Sequence, residues 1–478
     1  MPNKKYITTT LPYVNSDPHI GFALEIVQAD VIARAWRQMG NEVVFNTGTD
    51  EHGQKIYQKA LERHQNPQTY CDEYAKKFND LKAALNLSYT HFIRTTDKNH
   101  ILAAQEFWNR CLKNGDIYKK NYQTKYCVGC ELEKTDSDLV NGQCPLHPKN
   151  VIEFRDEENY FFAFSKFQKP LLELYERQPD FVLPESKFNE IKQFVSGGLQ
   201  DFSISRLKEK MPWGIEVPGD SEHVIYVWFD ALINYISTLG YPNTDGDFKK
   251  YWVEGTPVQY CGKDNTRFQA ATWQAMLMAA GLPNSHQIVV NGFITAEGGT
   301  RMSKSLGNGV DPRDIVAEYG TDALRYFLLR EISSFEDSPF TLERFKDAYN
   351  SGLANGLGNL VSRIMTMSTN YGVKLSDEDL KMKYYTDTNE DLENFDLNKF
   401  INNIWFNLKN LDEYIQKNEP FKKIKINKEE AEKDVYYLLF HLYGAALALE
   451  SVIPETAKKI QELIKENKKP EAPLFLRK

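Results

Sequence analysis

Two short runs constrain this chain more tightly than anything else in it. Cys127-Val-Gly-Cys130 and Cys144-Pro-Leu-His147 each place two metal-seeking side chains three positions apart, with thirteen residues between the runs. Three thiolates and one imidazole fill the tetrahedral shell that zinc prefers and leave no position for water. The spacing therefore predicts one structural Zn²⁺ on Cys127, Cys130, Cys144 and His147, carried by a small module of tight turns. The other three of the six cysteines, Cys71, Cys111 and Cys261, stand alone. This usage suits a reducing cytosol better than a disulfide framework, so a cytoplasmic protein is expected.

The metal module interrupts a regular rhythm. Lys5 to Thr10 reads as a short strand. Apolar residues then recur at Ile20, Leu24, Val27, Val31 and Ala35, a helical period, with Asp17-Pro18 as its start and Gly40 as its stop. "EVVFNTG" and "HFIRTT" are further strands. The alternation breaks near Gly115 and resumes at "HVIYVWFDALINYI", with "PVQYCG" and "QIVVNGF" as later strands. Strands spaced by helices predict an α/β fold, a doubly wound parallel sheet of Rossmann-like type. The expected order is the first half of that domain over 1–114, the inserted zinc module over 115–222, the second half over 223–290, a linking region over 291–348 and an α-helical bundle over 349–478. In the bundle, Leu397, Ile401, Ile404, Leu408, Leu411 and Ile415 form one apolar stripe. "VYYLLFHLYGAALALE" reads as a nearly all-apolar helix for its centre.

A chain of 478 residues needs several cores. Its net charge of -8 gives no bulk argument for nucleic acid, so any such contact must be local. No apolar run is long enough to span a membrane, and "MPNKKYITTT" has no signal-peptide core. One stretch, "TAEGGTRMSKSLGN", has the composition of a phosphate site. It is not a P-loop: counted from Gly298, the second glycine should fall at 303, where the chain has Ser303. At the other end of the sheet domain, His19-Ile-Gly21 opens the first long helix, whose N-terminus attracts anions. A doubly wound sheet brings such distant loops to its carboxyl edge, where ligands bind.

That pair resembles the signature of class I aminoacyl-tRNA synthetases. The stretches "LPYVNSDPHIG", "TGTDEHG", "CVGC…CPLH", "EENYFF", "DFSISR", "YVWFDA", "GKD" and "GGTRMSKSLGN" are similar, in order, to the methionyl-tRNA synthetase family over almost the whole chain. The resemblance implies an ATP-dependent ligase. L-Methionine and ATP give methionyl-adenylate and pyrophosphate, and methionine then passes to the 3′ end of tRNA(Met), initiator and elongator. It implies His19, Arg301 and Lys304 as catalytic residues, with Mg²⁺ accompanying ATP. It implies His19, Gly21, Glu25, Asp264, Arg301 and Lys304 around ATP. Leu11, Tyr13, Asp50, Trp228, Ala231, Tyr235 and Gln269 match the methionine pocket, with Asp50 on the substrate ammonium and the aromatic rings suited to a thioether. Arg206 and Asp264 match a buried pair beside it. Asn359, Arg363 and Phe421 match the anticodon-reading positions.

The chain departs from the family pattern at Phe22, where a second histidine is usual, at Gln269, where the pocket usually has histidine, at Leu232, where proline is common, and at Arg301, where lysine is usual. Another class I enzyme with a large editing domain is disfavoured, because roughly a hundred residues over 115–218 is too little for that domain plus a zinc knuckle. A synthetase-like RNA-binding protein without catalysis rests only on Phe22 and Gln269, and His19, Asp50 and Lys304 oppose it. With the chain ending at Lys478, soon after the bundle, a monomer is expected.

Overall fold

A computed structural model describes residues 3–130, 132–134, 138–300, 302, 309–381 and 389–478. The chain forms two compact units. One comprises Met1–Pro18, Val43–Asp80 and Tyr89–Val290; the other comprises His19–Glu42, Leu81–Ser88 and Asn291–Lys478.

The first unit is built on a six-stranded sheet of β1 (Lys4–Thr8), β2 (Glu42–Thr49), β3 (His91–Arg94), β4 (Val182–Leu183), β5 (Thr256–Gly262) and β6 (Gln287–Asn291), in the order β3-β2-β1-β5-β6-β4. β1 runs parallel to β5, with Ile7 opposite Val258; β2 is parallel to β3 and β6 to β4. The non-consecutive order is the mark of a doubly wound sheet, as the alternation of periods predicts. From Val44 to Thr49 every residue of β2 is buried, which is why the strand reads as a run rather than as alternating polar and apolar positions. Gly48 allows β2 and β3 to approach, since a Cβ there would lie 1.8 Å from the Ile93 carbonyl oxygen. Helix α2 (Lys98–Lys113) buries Phe107 and Trp108 against Phe229, and Phe107 also stacks on Trp273.

Where the alternation breaks, the chain turns antiparallel. Ile117–Cys127 and Glu153–Phe162 pair from Ile117 opposite Phe162 to Tyr126 opposite Glu153. This long hairpin carries the cysteine and histidine runs at its far end.

The second unit is helical. α1 (Ile20–Gln38) starts two residues after Pro18, with His19 rather than Asp17 as its N-cap, and stops at Gly40, whose φ of 82° no β-carbon favours. α1 packs on α4 (Thr321–Arg330) across a buried ion pair, Arg325 Nη1 to Asp30 Oδ2 at 2.8 Å. Asp30 also accepts from Arg34 Nε at 2.7 Å and from the Ser88 amide at 2.6 Å. Burial alone would raise the Asp30 carboxyl, but the Arg325 and Arg34 guanidiniums hold it below the usual carboxylate range.

α5 (Asn359–Tyr371), α6 (Leu397–Asn418), α7 (Lys428–Leu449) and α8 (Pro454–Glu466) form the bundle. All six residues of the α6 apolar stripe are buried, as their spacing predicts. α7 is the central helix of the bundle, as its sequence predicts, and packs against α5, α6 and α8. Val435, Leu438, Leu439 and Leu442 are buried, but Tyr436 and Tyr437 are exposed, because tyrosine can put its hydroxyl in water and so tolerates an outer face. No helix among the described residues is long and apolar enough to cross a membrane.

Candidate active site and metal centre

At the tip of the hairpin the ligand atoms of Cys127, Cys130, Cys144 and His147 all lie within 4.8 Å of one another. Cys130 Sγ is 3.3 Å from Cys144 Sγ and 3.2 Å from His147 Nδ1. Zinc–thiolate bonds of about 2.3 Å place tetrahedral ligand atoms roughly 3.8 Å apart, so the two close pairs at Cys130 need to open by only about half an ångström to accept the ion. Gly129 makes room for the imidazole: a Cβ there would sit 2.5 Å from His147 Cγ. The donor set, the tight turns and the glycine cradle all fit a closed structural site.

In the first unit, two loops leave the carboxyl ends of neighbouring strands. Leu11 and Tyr13 follow β1; Asp50 follows β2 directly. The loops continue the parallel pairing, Tyr13 beside Asp50. The Asp50 amide donates to the Pro12 carbonyl at 3.0 Å, and the Val14 amide to the Asp50 carbonyl at 3.2 Å. Tyr13 Oη donates to the His52 carbonyl at 2.9 Å. Trp213 Nε1 donates to the Glu51 carbonyl at 2.6 Å, and Arg94 grips the Glu51 carboxylate with Nε and Nη2 at 2.7 and 2.8 Å. The Asp50 backbone is thus fixed on both sides, and Asp50 itself is largely buried.

Trp228 and Ala231 lie on the short helix α3 (Val227–Ala231). The Trp228 indole stacks face to face on Phe268, 3.8 Å between centroids and 5° between planes. Tyr235 is buried, and Gln269 Nε2 donates to its hydroxyl. Gln269 Oε1 accepts from Gln259 Nε2 at 2.9 Å, Gln259 Oε1 accepts from Ser285, and Gln274 Nε2 donates to the Gln269 carbonyl at 2.8 Å. This amide chain fixes which end of the Gln269 carboxamide faces Tyr235. It also explains how glutamine replaces the expected histidine: both present an N–H donor, but the glutamine carries no charge at any pH. Phe268, Gln259 and Ser285 were not legible as site residues, because each acts through a partner rather than through a motif.

His19, Gly21 and Glu25 belong to the second unit. His19 caps α1, with Nδ1 accepting from the Gly21 amide at 3.1 Å. An accepting Nδ1 is unprotonated, so the ring is neutral and Nε2 carries its proton. A Cβ at residue 21 would crowd the imidazole at 3.0 Å, which accounts for Gly21. Glu25 is buried on α1. Arg301 and Lys304 lie outside the described residues. The Arg206–Asp264 reading needs correction. Arg206 is buried, with Nη1 donating to Ser203 Oγ at 2.8 Å and the guanidinium 4.2 Å from the Tyr226 ring centre. Asp264 is exposed, on the turn that follows β5, because it is the second residue beyond the buried strand. The pair is therefore buried at its arginine only.

In the helical unit Asn359 opens α5 and is exposed, and Arg363, one turn on, pairs with Asp412 of α6. The chain leaves α6 through Glu419 in the left-handed region, φ 45°, and Pro420 starts a new short turn. That turn presents Phe421 at 44% exposure. Lys423, in the same turn, donates to Asp434 Oδ2 at 2.7 Å, and Tyr414 donates to Asp434 Oδ1 at 2.8 Å.

A family model described as tRNA synthetases class I (M) matches residues 5–151 and 146–365. The chain belongs to that class. Within it, the chain is similar to methionine enzymes: it is 40% identical to the methionine–tRNA ligase of Thermotoga maritima over 484 aligned residues, covering 98% of this chain and 76% of the relative. Against the methionine–tRNA ligase of Rickettsia bellii it is 40% identical over 480 residues, covering 96% and 92%. Among solved structures it resembles Mycobacterium tuberculosis methionyl-tRNA synthetase in complex with methionyl-adenylate, with a TM-score of 0.88, 35% identity, and coverage of 96% of this chain and 93% of that one.

Proposed function

We infer that this chain joins L-methionine to tRNA(Met) at the expense of ATP. The observation that carries the reading is the pair of interlocked loops at the carboxyl ends of β1 and β2, which hold Asp50 rigidly where an open α/β sheet binds its ligand. The Asp50 carboxylate takes the substrate ammonium, and Leu11, Tyr13, Trp228, Ala231, Tyr235 and Gln269 enclose the thioether. The methionine carboxylate oxygen attacks the α-phosphorus of ATP; the bond to the β-phosphate oxygen breaks, and pyrophosphate leaves. His19 donates from Nε2 to phosphate oxygen, Arg301 and Lys304 meet the charge that develops on the leaving group, and Gly21, Glu25 and Asp264 border the nucleotide. Mg²⁺, bound with ATP, offsets phosphate charge. A ribose hydroxyl at the 3′ end of tRNA then attacks the adenylate carbonyl carbon, AMP departs, and the hydroxyl proton passes to solvent.

The Cys127, Cys130, Cys144 and His147 set holds one zinc that shapes the inserted module, over 115–222, and takes no part in the chemistry. Metal analysis should find one zinc per chain. Cys144→Ala should lose it and reduce charging; full charging by a metal-free variant would contradict the assignment. The catalytic domain runs over 1–114 and 223–290, with 291–348 as the loop and linking region, and the inserted span 115–222 lends its Val182–Leu183 strand to the edge of the same sheet. The reaction takes place in the cytoplasm, a reading that rests on cysteine spacing suited to a metal site rather than a disulfide framework, and the working form is a monomer.

The helical domain, 349–478, reads the anticodon of initiator and elongator tRNA through Asn359, Arg363 and Phe421. Single-stranded loops are read by bases that stack on aromatic rings and hydrogen-bond at their edges. The exposed Phe421 ring supports the first role and Arg363, once it leaves or shares Asp412, the second. Phe421→Ala should remove about 1–3 kcal/mol of tRNA binding, and Arg363→Ala should relax anticodon choice. Both should leave methionine-dependent ATP–pyrophosphate exchange near the parent rate while charging falls. Parent-level charging of both tRNAs by both variants would remove the anticodon role from these residues.

A further inference from the structure

Behind the loop that carries Asp50 lies a carboxylate that the chemistry above does not use. Asp230 is fully buried on α3, two residues after Trp228 and one before Ala231. His52 Nδ1 lies 2.7 Å from its Oδ2 and His100 Nε2 lies 2.7 Å from its Oδ1. An ionised carboxylate only accepts, so both imidazoles donate to it. Burial would raise this carboxyl, but the two histidines hold it below its ordinary value, and it stays ionised. His100 closes its side of the array on Ser237 Oγ at 2.9 Å, two residues beyond Tyr235 and not on the loop that bears Asp50. His52 is different. It stands two residues after Asp50, its carbonyl accepts from Tyr13 Oη, and its ring packs 5.5 Å from the Trp213 indole, which itself holds the Glu51 carbonyl.

We propose that Asp230 is a positioning residue for the amino-acid site: through His52 it locks the loop bearing Asp50 and the Tyr13 contact against the helix bearing Trp228 and Ala231. The proposal rests on the methionine-pocket reading of those residues. A buried carboxylate with two imidazoles is a weak source of net stability, because desolvation offsets much of the attraction. What it does supply is a fixed distance between two elements that meet nowhere in sequence. Small errors in such a distance are expensive in an enzyme, since about 1 Å of misplacement can cost on the order of a hundredfold.

The two histidines share one carboxylate and comparable burial, so they separate positioning from packing. His52→Leu should raise KM for methionine by roughly tenfold or more, with KM for ATP changed less than about twofold. His52→Asn places an amide N–H where Nδ1 was, and should recover most of the loss although it fills the space less well. His100→Leu should lower the melting temperature yet leave KM for methionine near the parent value. The idea is overturned if His52→Leu has a parent-like KM for methionine, if His100→Leu raises that KM equally, or if His52→Asn is no better than His52→Leu. Should His52→Leu fail to fold, His52→Ala takes its place against His52→Asn. A parent protein with no methionine-dependent exchange would instead refute the pocket reading itself, and with it this proposal.

Discussion

Asp50→Asn should lower kcat/KM for methionine by roughly a hundredfold, with most of the loss in KM. The carboxylate is largely buried, and its backbone is clamped by the Pro12 and Val14 bonds, so the loop cannot offer another anion in its place. Asparagine keeps the size and one acceptor but loses the charge. Removing one partner of a desolvated, hydrogen-bonded charge pair costs about 2–5 kcal/mol, and 1.4 kcal/mol is tenfold. KM for ATP should change little, because Asp50 is assigned to the amino acid alone. Steady-state exchange with methionine and ATP varied separately checks this. An equal rise in both KM values would mean that Asp50 supports the fold of the site rather than the substrate ammonium.

Lys304→Ala should slow adenylate formation by about a hundredfold or more while methionine binding stays intact. Negative charge accumulates on the pyrophosphate oxygens as the α-phosphorus is attacked, so a cation that meets it there acts chiefly in the transition state. Rapid-mixing measurement of adenylate formation at saturating methionine is the check. His19→Ala should fall on the same step, since its Nε2 proton is directed by the cap that its Nδ1 makes to Gly21. A Lys304→Ala variant that changed only the apparent affinity for methionine would contradict the phosphate role.

Much of the fold was readable because its elements obey one period each. The α1 residues Ile20, Leu24, Val27 and Val31 recur at helical spacing and are buried, and the α6 stripe behaves likewise. The metal quartet was readable because both pairs are local and the residue types have few other reasons to recur so. Three kinds of feature escaped. The Asp230–His52–His100 array joins segments 48 and 130 residues apart or more, and no periodicity links them. The Trp228–Phe268 stack and the Gln259–Gln269–Tyr235 chain are likewise contacts between segments, visible only once β5 and α3 are placed. Burial was misread at Asp264, where a motif position was taken as buried although it follows the end of its strand. His19 needed both views: the histidine read as a phosphate donor is also the helix cap, and the cap is what fixes its tautomer.

The most direct test of the account is the amino-acid dependence of isotope exchange between pyrophosphate and ATP by the purified chain. Exchange should be strong with L-methionine and near background with isoleucine, leucine and valine, and it should need no tRNA. Absence of exchange with methionine, or faster exchange with any of the other three, would contradict the assignment of this site to methionine activation.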